Sequence, residues 1–299
     1  MRIVVLGGTG FVGAAITARL AAAHDVVAVG LPGSGRDRPV GRTVSADLLA
    51  TPDAARDVLR DAEAVVYALA PAAPANGPGR RQAAGERMVE AAGLLAAGAA
   101  QAGVRVLVQL SNVSVYGSAD GWIGDDTPPA PSYPLGHATL AAERAAAAAM
   151  RASGLIRVVR LGPVFAADAA RSGASISYLV PGTNWCSPIC RDDVAGAVEL
   201  MLPPGAALPE TCVLCDGQPM PAATAAHLVA ERRGVPVRPV PLSMAARFGA
   251  SSFGVLSSSV RLRPAALPAV GWRPGTTLGG EPSGQRVEKP RTQPPHQAQ

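Results

Sequence analysis

The 299-residue chain has a single lysine, Lys289, so its positive charge rests almost wholly on arginine. Aromatic residues make up only 4% of it, and histidine occurs four times. The arginines are spread along the chain (Arg80, Arg81, Arg232, Arg233, Arg261, Arg263) with no dense run and no interleaved rings. The net charge of +5 therefore argues for a solvated basic surface and against a nucleic-acid partner. Long apolar runs are also missing: Gly, Pro or Arg interrupts each one short of a bilayer span. The N-terminal apolar run meets Gly7 and Gly8 too early to be a signal-peptide core, so a cytoplasmic protein without a membrane partner is expected. Cysteine is scarce as well. Cys186, Cys190, Cys212 and Cys215 have a spacing that can hold zinc, but Cys212 and Cys215 sit three apart in a strand-like run and should face opposite ways. They read as small core residues, and no metal site is expected.

What the sequence does have begins at once. Ile3 to Leu6 is wholly apolar, as a buried parallel strand requires, and Gly7-Gly8-Thr9-Gly10-Phe11-Val12-Gly13 follows before an Ala/Ile/Leu-rich helical pattern. Strand, glycine turn and helix in that order make a dinucleotide cradle. Glycine lets the turn approach a pyrophosphate and lets helix pack on strand, while the helix N-terminus offers unpaired N–H groups to the phosphates. Gly7, Thr9, Gly10, Phe11, Val12 and Gly13 are candidate cofactor contacts.

Asp25 to Val29 reads as a second strand, at whose end an acidic residue would hold an adenosine ribose. Here the chain runs instead into Gly30 and on to Arg36, with Arg38 or Arg42 behind it. A carboxylate that would repel a 2′-phosphate is absent and a guanidinium that would bind one follows, which favours NADPH over NADH. A third strand (43–46) ends at Asp47 and Leu48, where a carboxylate can reach the adenine. The fourth (64–67) runs into Ala68, Leu69 and Ala70 against the cofactor. A helix over 81–101, a fifth strand over 104–110, an alanine-rich helix over 136–153 and a sixth strand over 156–161 follow, the last ending near Pro163 and Val164. This alternation predicts an α/β fold, a doubly wound parallel Rossmann sheet over 1–165. Residues 166–280 read as a smaller C-terminal substrate-binding region, whose helix 192–202, capped by Asp192 and Asp193, returns to the first domain. Residues 281–299 read as a disordered tail.

These pieces together resemble the extended short-chain dehydrogenase/reductase family, in the group with NAD-dependent epimerases and dehydratases. The matching segments are GGTGFVG (7–13), ADL (46–48), SNVSVYG (111–117), LGHATLAAE (135–143), RLGPVF (160–165), RDDVAGAV (191–198) and GWRP (271–274). The family's Ser, Tyr and Lys triad falls, by that resemblance, on Asn112, Leu135 and Thr139, so all three members are lost. Ser111, Asn112 and Tyr133 remain as candidates for positioning a substrate. His137 lies two residues from the tyrosine position, on another face of its helix, and reads as a surface residue.

Loss of the triad does not exclude redox chemistry. General acid catalysis contributes about 10²–10⁴-fold, whereas holding two reactants in line is worth about 7–11 kcal/mol. Within the family the resemblance runs to angucyclinone ketoreductases of antibiotic biosynthesis that also lack the Tyr and Lys. It implies an NADPH-dependent reductase whose small-molecule partner is a polycyclic aromatic polyketide ketone, with the proton supplied by substrate or water. Two alternatives stay open: a catalytically dead NADP(H)-binding sensor or partner protein, and a non-redox cyclase or isomerase. The sequence does not set the oligomeric state.

Overall fold

The computed structural model describes residues 1–32, 41–69, 78–167, 175–241 and 258–280. The apolar runs become strands of one seven-stranded, all-parallel sheet. In chain order these are β1 (Arg2–Leu6), β2 (Asp25–Gly30), β3 (Arg42–Ser45), β4 (Ala64–Tyr67) and β5 (Val106–Asn112). After a two-residue β6 (Trp122–Ile123) come β7 (Leu155–Leu161) and, later, β12 (Thr211–Leu214). The spatial order is β12-β7-β5-β4-β1-β2-β3. Both faces are covered by helices, which is why the central strands are apolar throughout instead of alternating.

On one face, α1 (Phe11–Leu20) and α5 (Arg191–Met201) pack over Ile3, Val5, Val108 and Val159. On the other, α2 (Pro52–Leu59), α3 (Pro78–Gln101) and α4 (Pro134–Met150) cover Val4, Leu6, Val65 and Leu107. Alanine dominates the α3–α4 contact, where Ala92, Ala96, Ala142 and Ala146 are all buried and let the helices approach closely.

The sheet is not complete by residue 165. The strand at Cys212, assigned from sequence to the substrate region, adds beside β7 in parallel, Cys212 opposite Val159. Its cysteines do point apart: Cys212 enters the cluster under α1 and α5, and Cys215 joins Val115, Tyr116 and Leu262. Asp192 and Asp193 do not cap α5, whose N-cap is Cys190 and which has no side-chain cap. The Asp193 carboxylate accepts instead from the backbone N–H groups of Gly275 (2.8 Å) and Thr276 (3.0 Å), tying down the segment that carries Trp272.

Beyond β7, short pieces build a smaller layer at the carboxyl end of the sheet. They are β8 (Val164–Phe165), β9 (Ile176–Leu179), β10 (Trp185–Cys186), β11 (Ile189–Cys190), β13 (Met220–Pro221), α6 (Ala222–Arg233), β14 (Val237–Val240), β15 (Arg261–Leu262) and a last turn, α7 (Ala266–Ala269). They pair two by two: β8 with β11, β9 with β14, β10 with β13, and β6 with β15. No helix among the described residues is long and apolar enough to cross a membrane.

Candidate functional site

The glycine turn between β1 and α1 has the shape a phosphate needs. Gly7 has φ +84°, and a Cβ there would sit 2.6 Å from the Ala68 carbonyl oxygen. A Cβ on Gly13 would lie 2.0 Å from the Gly7 carbonyl oxygen, so the helix can pack on the turn only without a side chain. Gly10 differs: among the described residues, the one atom within 4 Å of a Cβ there is the Gly7 carbonyl oxygen, at 3.2 Å. It is the N-cap of α1, with no side-chain cap and no acidic residue in the first turn, so the positive end of the helix is left for an anion. Val12 packs on the core beneath, while Phe11 is half exposed with the Arg191 guanidinium 5.3 Å from its ring.

Beside the turn lies a cavity of about 360 Å³, large enough for an adenosine. Gly7, Gly30, Asp47, Leu48, Tyr67 and Leu69 are among its walls, and Ala68 backs it through Gly7. Asp47 Oδ1 accepts from the N–H groups of Leu49 (3.1 Å) and Ala50 (3.3 Å), which fixes the carboxylate at the cavity edge. Burial pushes the Tyr67 hydroxyl up to about 12. At Gly30, a Cβ would meet Thr9 Oγ1 at 2.0 Å, so Thr9 fills the place from which an acidic side chain would reach the ribose. Arg36 and Ala70 lie outside the described residues. A cavity residue that sequence reasoning missed is Arg87, on α3. It is exposed, and its guanidinium has no hydrogen bond or ion pair among the described residues. In an alanine-rich helix nothing but the fold tells which face meets the cofactor.

Asn112 ends β5 and caps the short 3₁₀ turn Val113–Tyr116, its Oδ1 accepting from the Ser114 N–H at 3.0 Å. That bond orients the side chain and leaves its NH₂ to donate. Leu135 is half-buried at the start of α4. Thr139 is buried and its hydroxyl donates back to the Leu135 carbonyl at 2.8 Å. Tyr133, the half-buried N-cap of α4, stands one residue before the helix, and His137 is exposed. Pro163 and Val164 follow β7 at the same end, the Pro163 carbonyl accepting from Ile189 N–H at 3.0 Å. Gly162 is packed so that a Cβ would overlap the Ser187 carbonyl oxygen, 1.6 Å away.

Ser111 is not directed at this crevice. Its hydroxyl donates to Glu143 Oε1 at 2.5 Å, inside a buried network that sequence reasoning did not foresee. Arg160 donates to the same carboxylate through Nε (3.1 Å) and Nη2 (2.7 Å), and through Nη1 to the Tyr116 hydroxyl (2.9 Å). Burial opposes the Arg160 charge, but Glu143 outweighs it and the pKa is raised; burial also raises that of Tyr116 against the opposing pull of Arg160. The available signal was a pair of arginines, Arg157 and Arg160, inside an apolar strand. Three apart, they leave on opposite faces: Arg157 donates to the Met201, Pro203, Pro204 and Ala206 carbonyls at the end of α5.

A doubly wound sheet, an uncapped helix behind a glycine turn and an adenosine-sized cavity at the carboxyl ends of the strands define a nicotinamide-dinucleotide-binding protein of Rossmann type. The sequence profile of the NAD-dependent epimerase/dehydratase family matches residues 3–202, and the chain belongs to that family. Solved structures share the fold. MoeE5 in complex with UDP-glucuronic acid and NAD is 23% identical, with a TM-score of 0.74 over 93% of this chain and 95% of that one. DesIV, a dTDP-glucose 4,6-dehydratase from Streptomyces venezuelae with NAD bound, is 20% identical, with a TM-score of 0.72 over 93% of each chain. TunA, an NAD-dependent NDP-hexosamine 5,6-dehydratase of tunicamycin biosynthesis, is 20% identical over 80% of this chain and 84% of that one, with a TM-score of 0.67. No curated protein sequence matches the chain.

Proposed function

We propose that the protein is an NADPH-dependent ketoreductase that reduces a ketone on a polycyclic aromatic, angucyclinone-type polyketide. The observation that carries the reading is the state of Leu135 and Thr139. The first has no ionisable group, and the hydroxyl of the second is committed to a backbone carbonyl. DesIV and TunA are dehydratases of sugar nucleotides, and taking a hydride from a sugar carbinol requires a base for the hydroxyl proton. The crevice offers none at those positions. Reduction of a ketone places the demand differently, because the oxygen must gain a proton, and a phenol beside the ketone or an ordered water can give it.

A nicotinamide dinucleotide held in this cavity would supply the hydride. This chain's residues would do the rest: the glycine turn and the α1 N-terminus would hold the pyrophosphate, Asp47 and the cavity walls would hold the adenosine, and the Asn112 NH₂ would donate to the carbonyl oxygen as negative charge develops there. Tyr133 borders the crevice as a second polar group. Choice of NADPH over NADH is supported by Thr9 in place of a ribose-binding acid and by the Arg87 guanidinium at the cavity, unpaired among the described residues, with Arg36 as a further candidate from sequence.

The test follows NADPH absorbance with hydroxylated polycyclic quinones, alongside UDP-glucose and dTDP-glucose with NAD. The expected result is turnover of the quinones only, slowed by about 10²–10⁴-fold when the neighbouring phenol is methylated. Turnover of a sugar nucleotide, or NADPH binding with no reduction of any ketone, would instead support a sugar-nucleotide enzyme or the non-catalytic alternative.

A further inference from the structure

Two of the three tryptophans lie at the surface, Trp122 46% and Trp185 37% exposed, while Trp272 is buried. Both exposed rings belong to one patch. Arg261 Cζ lies 5.5 Å from the centroid of each, and Arg263 Cζ lies 4.5 Å from that of Trp122. Trp185, Arg261, Trp122 and Arg263 thus form an alternating array of rings and guanidinium groups. The β6–β15 ladder builds it: Trp122 is the register partner of Arg261, and Arg263, two residues on, shares that face. Trp185 is held alongside by the Val260 N–H donating to its carbonyl (2.9 Å) and by its own N–H donating to Ser259 Oγ (3.1 Å). Buried Ile123 and Leu262, from the same two strands, anchor the array from below.

Its members are not equally satisfied. Arg261 donates to the Asp120 carbonyl, but the exposed Arg263 guanidinium has no hydrogen bond or ion pair among the described residues. The array is also tied to segments that reach the end of β7 and the turn after β5. Trp185 is two residues from Ser187, whose carbonyl packs on Gly162 at the end of β7. Ser118, two residues past Tyr116, accepts from the Ser259 N–H at 3.2 Å.

We propose that this array is a recognition site for a planar fused-ring aromatic that carries negative charge, and that it receives the substrate at the crevice mouth. An indole face and a guanidinium plane both stack on flat π systems, and the guanidinium fork also pairs with a phenolate or carboxylate. An ammonium group would provide the charge without the stacking plane. The proposal rests on the polyketide reading only for the identity of the ring system. A nucleoside diphosphate also joins a flat ring to negative charge, and the test separates the two.

The experiment is titration of tryptophan emission in the full-length protein, without nucleotide, using anthracene carboxylate as the probe. Buried Trp272 provides emission that the probe should not reach. Saturable quenching is expected, with uncharged anthracene methanol, cyclohexane carboxylate and UDP each binding at least about tenfold more weakly. Arg263→Gln, at the exposed end and outside any buried contact, should weaken the probe about tenfold while leaving the thermal midpoint unchanged, and Trp122→Leu should remove most of the quenching. Absence of saturable quenching, equal affinity in Arg263→Gln, or tighter binding of UDP would overturn the proposal. Because no turnover is measured, probe binding without ketone reduction would count against the reductase reading alone, and reduction without probe binding against this site alone.

Discussion

Replacing Glu143 should expose how much of the fold depends on a charge pair hidden under α4. The side chains of Glu143 and Arg160 are 6% and 7% exposed, and the carboxylate takes two hydrogen bonds from the guanidinium and one from Ser111. In Glu143→Ala the guanidinium stays buried with only the Tyr116 hydroxyl for a partner. Breaking a buried pair on one side costs about 3–5 kcal/mol, mostly from the uncompensated charge. For a chain of this length that corresponds to a fall in Tm of roughly 5–8 °C, taking an unfolding entropy of about 2 cal/mol/K per residue. The double variant Glu143→Met with Arg160→Met should lose less than Glu143→Met alone, since apolar side chains of similar volume leave no buried charge. Urea titrations followed by circular dichroism give the comparison. A loss below about 1 kcal/mol in Glu143→Ala would refute the reasoning, since that is the scale of a solvent-screened pair. So would a double variant less stable than the single.

The remaining predictions concern cofactor and thiols. Arg87→Ala should cut NADPH affinity by about tenfold while changing NADH affinity little, read by calorimetry; equal losses for both would mean that Arg87 does not contact the extra phosphate. Gly10→Val, whose Cβ would meet, among the described residues, only the Gly7 carbonyl oxygen, at 3.2 Å, should abolish nucleotide binding and lower the Tm less than Gly13→Ala does. Gly13→Ala, whose methyl would lie 2.0 Å from a backbone oxygen, should cost about 1–3 kcal/mol of stability as well; the reverse pattern would contradict the packing described. Burial pushes the Cys186 and Cys212 thiols up to about 12 and Cys215 to about 11, and it raises Cys190. For a thiol moved from 9.0 to about 12, the thiolate fraction at pH 8 falls about a thousandfold, so a thiol reagent should label the native protein very slowly and four groups rapidly in urea. Prompt labelling of any thiol in the native state would contradict this.

Those elements that depend on local order were legible in the chain. An apolar run, a glycine turn and a helical pattern within the first twenty residues leave one arrangement that buries the strand and satisfies the turn, and β4 spans the same residues, Ala64–Tyr67, that were expected from sequence. Strand β12 was recognised as a strand but assigned to the wrong layer. Its partner β7 precedes it by some fifty residues, and its outer N–H at Val213 is satisfied by the Asp125 carboxylate (2.8 Å) from a distant loop. Asp193 was misread for a related reason: an acidic residue at a helix start looks like a cap, and only the tertiary structure brings Gly275 and Thr276 to it. Ser111 and Arg87 show the limit most clearly. Arg87 sits in a helix that was predicted and Ser111 one residue past the predicted end of a strand that continues to Asn112, but which side faces the crevice, the cavity or the neighbouring helix is decided by sheet register and helix rotation.

On the proposed reading, a site with Leu135 and Thr139 where the resemblance places a Tyr and a Lys is still chemically directional. Glu143 and Arg160, behind the crevice wall, neutralise each other below the surface. With Leu135 apolar and the Thr139 hydroxyl turned to its own helix, the crevice wall at Asn112 offers dipoles and no free charge. A dipolar wall can stabilise an oxyanion growing on a ketone, because the amide NH₂ is already held in place by the Ser114 bond and need not reorganise. It cannot take a proton from an alcohol at neutral pH, since neither an amide nor a hydrogen-bonded threonine is a base in that range. On the proposed reading reduction is the direction this wall serves, because Asn112, Leu135 and Thr139 offer no base and a phenolic substrate carries its own proton.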